Sequence, residues 1–157
     1  MKKFILAGLL AVACLFNAAA DEEFGFGVWF DSSENNIEGL GLGLPVIGNK
    51  TTDGVSLAIC GNKVQKMNGF QFAWLGFNYA DSLEGVQLAF INMLRKQHGE
   101  FALQWGFYNQ SAENGIQIGF LNNAQNNATF QLGLININKN GLLPVMIFVN
   151  FGKDLFD

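Results

Sequence analysis

Cysteine, histidine, proline and charge are all scarce in this 157-residue chain, and each scarcity removes a class of reading. The two cysteines are Cys14 and Cys60, and the only histidine is His98. Cys14 lies in a segment expected to be removed, so Cys60 is left alone. An intramolecular disulfide is then impossible, and a metal site built from Cys and His is excluded by number. The two prolines form no Pro-rich linker, so no domain boundary is visible. Charged residues make up 14% of the chain, with 13 acidic against nine basic and a net charge of −4. An acidic chain of this kind argues against nucleic acid or anionic lipid headgroups as partners. The dense glycines around Gly41 and Gly43 are followed by no Lys-Ser/Thr and no helix pattern, so they are not a phosphate loop.

What the chain does have is glycine, phenylalanine and a repeat. Gly115-Ile116-Gln117-Ile118-Gly119-Phe120-Leu121-Asn122 is nearly reproduced by Gly85–Asn92 and by Thr129–Asn136. Looser copies begin at Ala102, Gly69 and Gly54, and the earliest, Gly39–Leu44, keeps only glycines and leucines. Taking the third residue of each copy places the repeats at 41, 56, 71, 87, 104, 117 and 131, a spacing of 13 to 17 residues. Within a copy the alternation has period two: Val86, Leu88 and Phe90 on one face, Gln87, Ala89 and Ile91 on the other. Period two marks strands, and glycine this dense would weaken a helix. The chain therefore reads as all-β with one strand and one turn per repeat.

Met1-Lys2-Lys3, an apolar run from Phe4 to Phe16 and Asn17-Ala18-Ala19-Ala20 form a signal peptide over residues 1–20, with cleavage expected before Asp21. Lipid attachment at Cys14 is a lower-ranked alternative. Residues 21–157 then form a single β-repeat domain. The segment Leu142 to Phe151 is apolar on both faces and is expected to be a strand buried on two sides, with Pro144 near its start.

Two architectures accept a strand every fifteen residues. An antiparallel meander of eight or nine strands closing into a small β-barrel is favoured by Asp53-Gly54, Asn68-Gly69, Asn114-Gly115 and Asn140-Gly141, which suit hairpin turns. Its bulky face would meet lipid and its small Gly/Gln face would fill a narrow lumen. The alternative is a parallel β-solenoid, in which the recurrent Gln, and the recurrent Asn at 92, 109, 122 and 136, would stack into ladders. Gly61–Asn68, Asp81–Glu84 and the other polar stretches read as connectors in either case.

The repeat, together with the apolar segment Leu143–Phe151, resembles the bacterial surface-repeat proteins of spirochaete type, over roughly residues 54–151. The resemblance implies an exported, envelope-associated protein and offers no catalytic residues. No catalytic, cofactor-binding or metal-binding residue is expected, and no enzyme activity. His98 lies in a polar Lys96-Gln97-His98-Gly99 turn, and Cys60 reads as a small apolar filler on a strand. The Asn122–Asn127 turn lacks the carboxylates of a calcium site. The glycosylation-type triplets at Asn49, Asn109 and Asn127 are chance matches. The functional expectation is an exported envelope or surface protein with a structural or adhesive role, a small outer-membrane-type barrel at the outer membrane or cell surface, in contact with membrane lipid or envelope components. The alternative is a soluble periplasmic or secreted module binding a polar ligand through a Gln/Asn-rich face.

Overall fold

The computed structural model describes residues 24–28, 31–32, 36–112, 115–126 and 128–153, with side chains from residue 36 onward except at 97–100. The expected signal peptide, Cys14 and Asn127 fall outside the described residues. Among the described residues ten strands run in the order β1 Phe24–Val28, β2 Asp31–Ser32, β3 Asn36–Leu44, β4 Val46–Ala58, β5 Gly61–Ala73, β6 Phe77–Leu88, β7 Ile91–Ser111, β8 Ile116–Ala124, β9 Phe130–Asn138 and β10 Val145–Phe151. From β3 to β9 each strand pairs in parallel with the next. Strands β1 and β2 also pair in parallel, with β3 and β4. The chain is a β-solenoid of about six turns and not a barrel. This corrects the antiparallel meander and bears out the alternative.

Each coil has two extended arms. The first arm carries the Gln motif, as in Phe70–Ala73 or Ile116–Gly119. The second carries the Asn, as in Phe77–Ala80 or Leu121–Ala124. The long strands arise because an arm, a corner and the next arm all keep parallel pairing, as when β5 runs from Asn62 through Met67 to Gln71. Gly61–Asn68, expected as a connector, is therefore a second arm and a corner, with Asn62, Val64 and Met67 buried.

The Xaa-Gly dipeptides explain why the hairpin expectation failed. Gly39, Gly54, Gly69, Gly85 and Gly115 have φ between +118° and +134°, as anticipated for glycine. They turn corners within a coil, however, and pair in register with one another: Gly39 with Gly54, Gly54 with Gly69, Gly69 with Gly85. A Cβ at Gly69 would overlap the Gly54 carbonyl oxygen of the coil below. Only Asn140-Gly141 precedes a reversal, since β10 pairs antiparallel with β9.

The variable period is absorbed at corners. The β6–β7 offset is 14 residues at Phe77↔Ile91 and 17 at Gly85↔Ala102, with the shift between Leu83 and Gly85. The extra residues fall in the stretch that contains His98. There Ala102 occupies the register position held by glycine in neighbouring coils.

The interior is narrow and largely polar. Gln71, Gln87, Gln104, Gln117 and Gln131 are essentially inaccessible, as are Asn62, Asn78, Asn92, Asn109, Asn122 and Asn136. A central apolar cluster of Val64, Met67, Ala80, Leu83, Leu94 and Ala102 fills the space beside them, and Ile37, Ile47 and Ala58 form a second cluster in the first coils. The small Gly/Gln face, expected inside only for a barrel whose lumen it would fill, points instead into the packed core of a solenoid, where the bulky residues were expected.

Buried amides are tolerable only if their hydrogen bonds are made. Gln87 Nε2 donates to Gln71 Oε1 at 2.8 Å, Gln104 to Gln87 at 2.9 Å, Gln117 to Gln104 at 2.9 Å and Gln131 to Gln117 at 2.7 Å. The Asn row runs the other way: Asn62 Nδ2 donates to Asn78 Oδ1 at 2.8 Å, and the pattern continues through Asn92, Asn109 and Asn122 to Asn136. Asn Nδ2 atoms also donate to main-chain carbonyls of the next coil's first arm, at Phe72, Leu88, Trp105, Ile118 and Leu132. Those carbonyls accept only, which fixes the orientation of the amides.

Strand β10 corrects another expectation. It lies at the C-terminal end of the sheet order, and Val145, Ile147 and Phe148 are exposed instead of buried on two sides. A register irregularity separates Ile147 from Phe148, which has φ +69°. Irregularities of this kind discourage edge-to-edge pairing.

Candidate functional site

Because Gln and the small residues turn inward, the residues between them must turn outward. The first arms of β3 to β9 thus form one sheet face with three outward rows. Row one includes Val55, Phe70, Val86, Leu103 and Ile116. Row two includes Leu57, Phe72, Leu88, Trp105 and Ile118. Row three, at the corner into the second arm, includes Ile59, Trp74, Phe90, Phe107 and Phe120. All are apolar and none is buried. Trp74 keeps 72% of its surface exposed and Trp105 57%.

The geometry of this face follows from parallel in-register stacking, which repeats each side chain at the inter-strand spacing of about 4.8 Å. Phe90, Phe107 and Phe120 stack with centroids 4.9 Å apart and planes 4° to 5° from parallel. Between rows two and three runs a shallow groove lined by Phe72, Trp74, Leu88, Phe90, Trp105 and Phe107, with Ala73, Ala89 and Gly106 on its floor.

One rim of the face is acidic. Glu38, Asp53, Asn68 and Glu84 are in register along the corner before row one. Asn68 Nδ2 donates to Asp53 Oδ1 at 2.6 Å. Of the described cations, Lys63 and Arg95 lie on second arms and Lys139 and Lys153 near the C-terminal end, whereas Lys66 and Lys96 stand in the row beside the acidic one, in register through Ser82, with Lys50 preceding Thr51 of that row. On the second arms, Tyr79 Oη donates to Asp81 Oδ1 at 2.8 Å, and Arg95 approaches the same oxygen at 3.3 Å. Desolvation, with the Asp81 hydrogen bond, raises the Tyr79 phenol above its ordinary value, partly opposed by Arg95. This exposed cluster is a local surface arrangement of small energetic weight.

The residues weighed from sequence are dispersed. His98 lies within β7, at a position whose side chain is outside the described residues. Cys60 is a half-buried free thiol at a corner, where its backbone N–H donates to the Pro45 carbonyl. Asn122, in the turn considered for calcium, has its amide engaged with Asn109, Asn136 and the Leu132 carbonyl. Among the described residues no group of three His, Cys, Asp or Glu is placed to hold a metal. Asn49 and Asn109, from two of the glycosylation-type triplets, are buried.

The Gln/Asn-rich binding face has no surface to act through, because both rows face the interior. Sequence reasoning also missed Asn62 and Asn78. Asn78 follows its Gln by seven residues where Asn92, Asn109, Asn122 and Asn136 follow theirs by five, because Trp74-Leu75-Gly76 lengthens that corner. Compared with family models, curated proteins and solved structures, the chain matches none of them significantly.

Proposed function

We propose that the chain is an exported envelope or surface protein with a structural or adhesive role, making its contacts through the flat apolar face of the first arms. One observation carries this reading: the polar groups of the repeat satisfy each other inside, while its apolar groups cover a continuous outer face. Ordinary surfaces scatter such residues, and a contiguous patch of this extent marks an interaction site. Export rests on the leader-like residues 1–20, and envelope association accords with the surface-repeat resemblance. A site made of rows and a shallow groove, without convergent titratable groups, suits adhesion better than catalysis.

The test is to express the full chain in a bacterial host and follow both its location and its contacts. The exported protein should begin at Asp21 and fractionate with the envelope. Trp105→Glu should release it from envelope fractions, whereas Lys63→Glu on the second arm should leave it bound. Intact Met1 in a cytoplasmic fraction, or equal retention of both variants, would overturn the reading.

A further inference from the structure

We infer that the apolar face is occupied by a second copy of this chain, the two first-arm sheets packing face to face about a two-fold axis parallel to the solenoid. The inference rests on the proposed contact role of this face and specifies its partner. Three observations lead to it.

The first is area. Seven rungs at about 4.8 Å, each presenting about five residues at about 3.3 Å, make a patch of roughly 600 Å², so that a pair buries roughly 1,200 Å², the lower bound of a stable specific interface. The second is charge. The three rows contain no charged residue, so no charge is desolvated when they are covered, and the charges stay outside the patch, with Glu38, Asp53 and Glu84 on the rim beside row one and Lys66 and Lys96 in the row beyond it.

The third observation fixes the symmetry. An axis along the strands would bring the two acidic rims together and set the aromatic row of one copy against the same row of the other. An axis along the solenoid reverses the strand direction in the partner. It places the acidic residues of the two copies on opposite edges and sets each rung over the same rung of the partner, so that Phe90 lies over Val86 and Ile59 over Val55, while Trp74 meets Phe70 and Phe107 meets Leu103. Row two then lies near the axis, and each of its residues faces its own counterpart. Such an interface is isologous and closes at two copies.

The experiment is cysteine crosslinking of the full chain in a Cys60→Ser background, together with sedimentation across a concentration series. Leu57→Cys, Leu88→Cys and Ile118→Cys should each give a covalent dimer with a short bismaleimide. Lys63→Cys, on the second arm, should not. The parent should sediment as a dimer that dissociates on dilution, and Trp105→Glu should weaken it at least tenfold while its far-ultraviolet circular dichroism stays that of the parent. If Trp105→Glu changes the spectrum, the crosslinking pattern at the three row-two positions decides alone. A parent that stays monomeric at every concentration and is not captured by the crosslinker would overturn the self-association. Its retention in envelope fractions would then show that the contact role survives with a different partner. A monomer that floats with phosphatidylglycerol vesicles would assign the face to lipid and overturn the inference. Crosslinking at Leu88→Cys alone would overturn the parallel-axis arrangement.

Discussion

Gln104 stands in the middle of its row, and its position sets what its loss would do. Its Oε1 accepts from Gln117, and its Nε2 donates to Gln87 and to the Gln110 carbonyl. Gln104→Leu would leave the Gln87 oxygen and the Gln117 amide buried without these partners, at about 1–3 kcal/mol each. Gln131 is the last member of the row, and its Oε1 has no hydrogen-bond partner. Gln131→Leu breaks one ladder bond and the bond to the Ile137 carbonyl but removes that orphan oxygen, so it should be the milder change. Urea unfolding of the two variants beside the parent checks the order, and equal losses would mean that the ladder does not act as a chain. A second residue-scale contrast concerns the two faces. A Cβ at Gly119 would overlap the Gly106 carbonyl oxygen, whereas Leu88 is only half-buried on the outer face. Gly119→Ala should therefore destabilise by about 1–3 kcal/mol as an overpacked site, and Leu88→Ala by less, read from the same melts.

At the scale of elements, the corner glycines and the final strand have distinct roles. Gly69→Ala combines a positive φ with overlap on the Gly54 carbonyl, and the neighbouring coils cannot move apart without breaking their pairing. It should lower the midpoint of thermal unfolding more than Ala73→Gly, a change on the same strand that only removes a methyl. Strand β10 covers the last rung of the solenoid: Asn150, buried opposite Gln131, donates to the Leu143 carbonyl, and Leu142 N–H donates to the Phe151 carbonyl. A chain ending at Asn140 would expose the edge of β9 together with the ends of both amide rows. Such an edge templates further pairing. The truncated chain should aggregate on size-exclusion chromatography under conditions in which the parent does not, and a well-behaved truncated chain would show that β10 is dispensable as a cap.

For the whole molecule, stability comes from stacking between neighbouring coils, as in other quasi-one-dimensional repeats. The described residues contain one cysteine, Cys60, and no cluster suited to a metal. Neither a thiol reductant nor a chelator should therefore shift the thermal midpoint of a chain beginning at Asp21, as read by circular dichroism. A fall with either reagent would reveal a covalent or metal contribution from outside the described residues.

Much of this was legible in the sequence, and the rest was not for definite physical reasons. The alternation of Val86-Gln87-Leu88-Ala89-Phe90 fixes strands and separates two faces, because side chains on a strand alternate regardless of its partner. The repeat itself makes those faces continue from copy to copy. Alternation does not say whether neighbouring copies run parallel or antiparallel, since one strand pattern serves both. The Asn-Gly and Asp-Gly dipeptides pointed to hairpins because glycine's positive φ is all that the sequence reveals. Stacking against the previous coil turned Gly54, Gly69 and Gly85 into in-register corners. Nor does alternation say which face lies inside, where hydrophobicity alone would bury Leu88 and Phe90. Tertiary structure decided that question through hydrogen bonding. Only parallel in-register coils bring each Gln and Asn amide within reach of its equivalent one rung away, and that closes the polar side chains into the interior and leaves the phenylalanines outside.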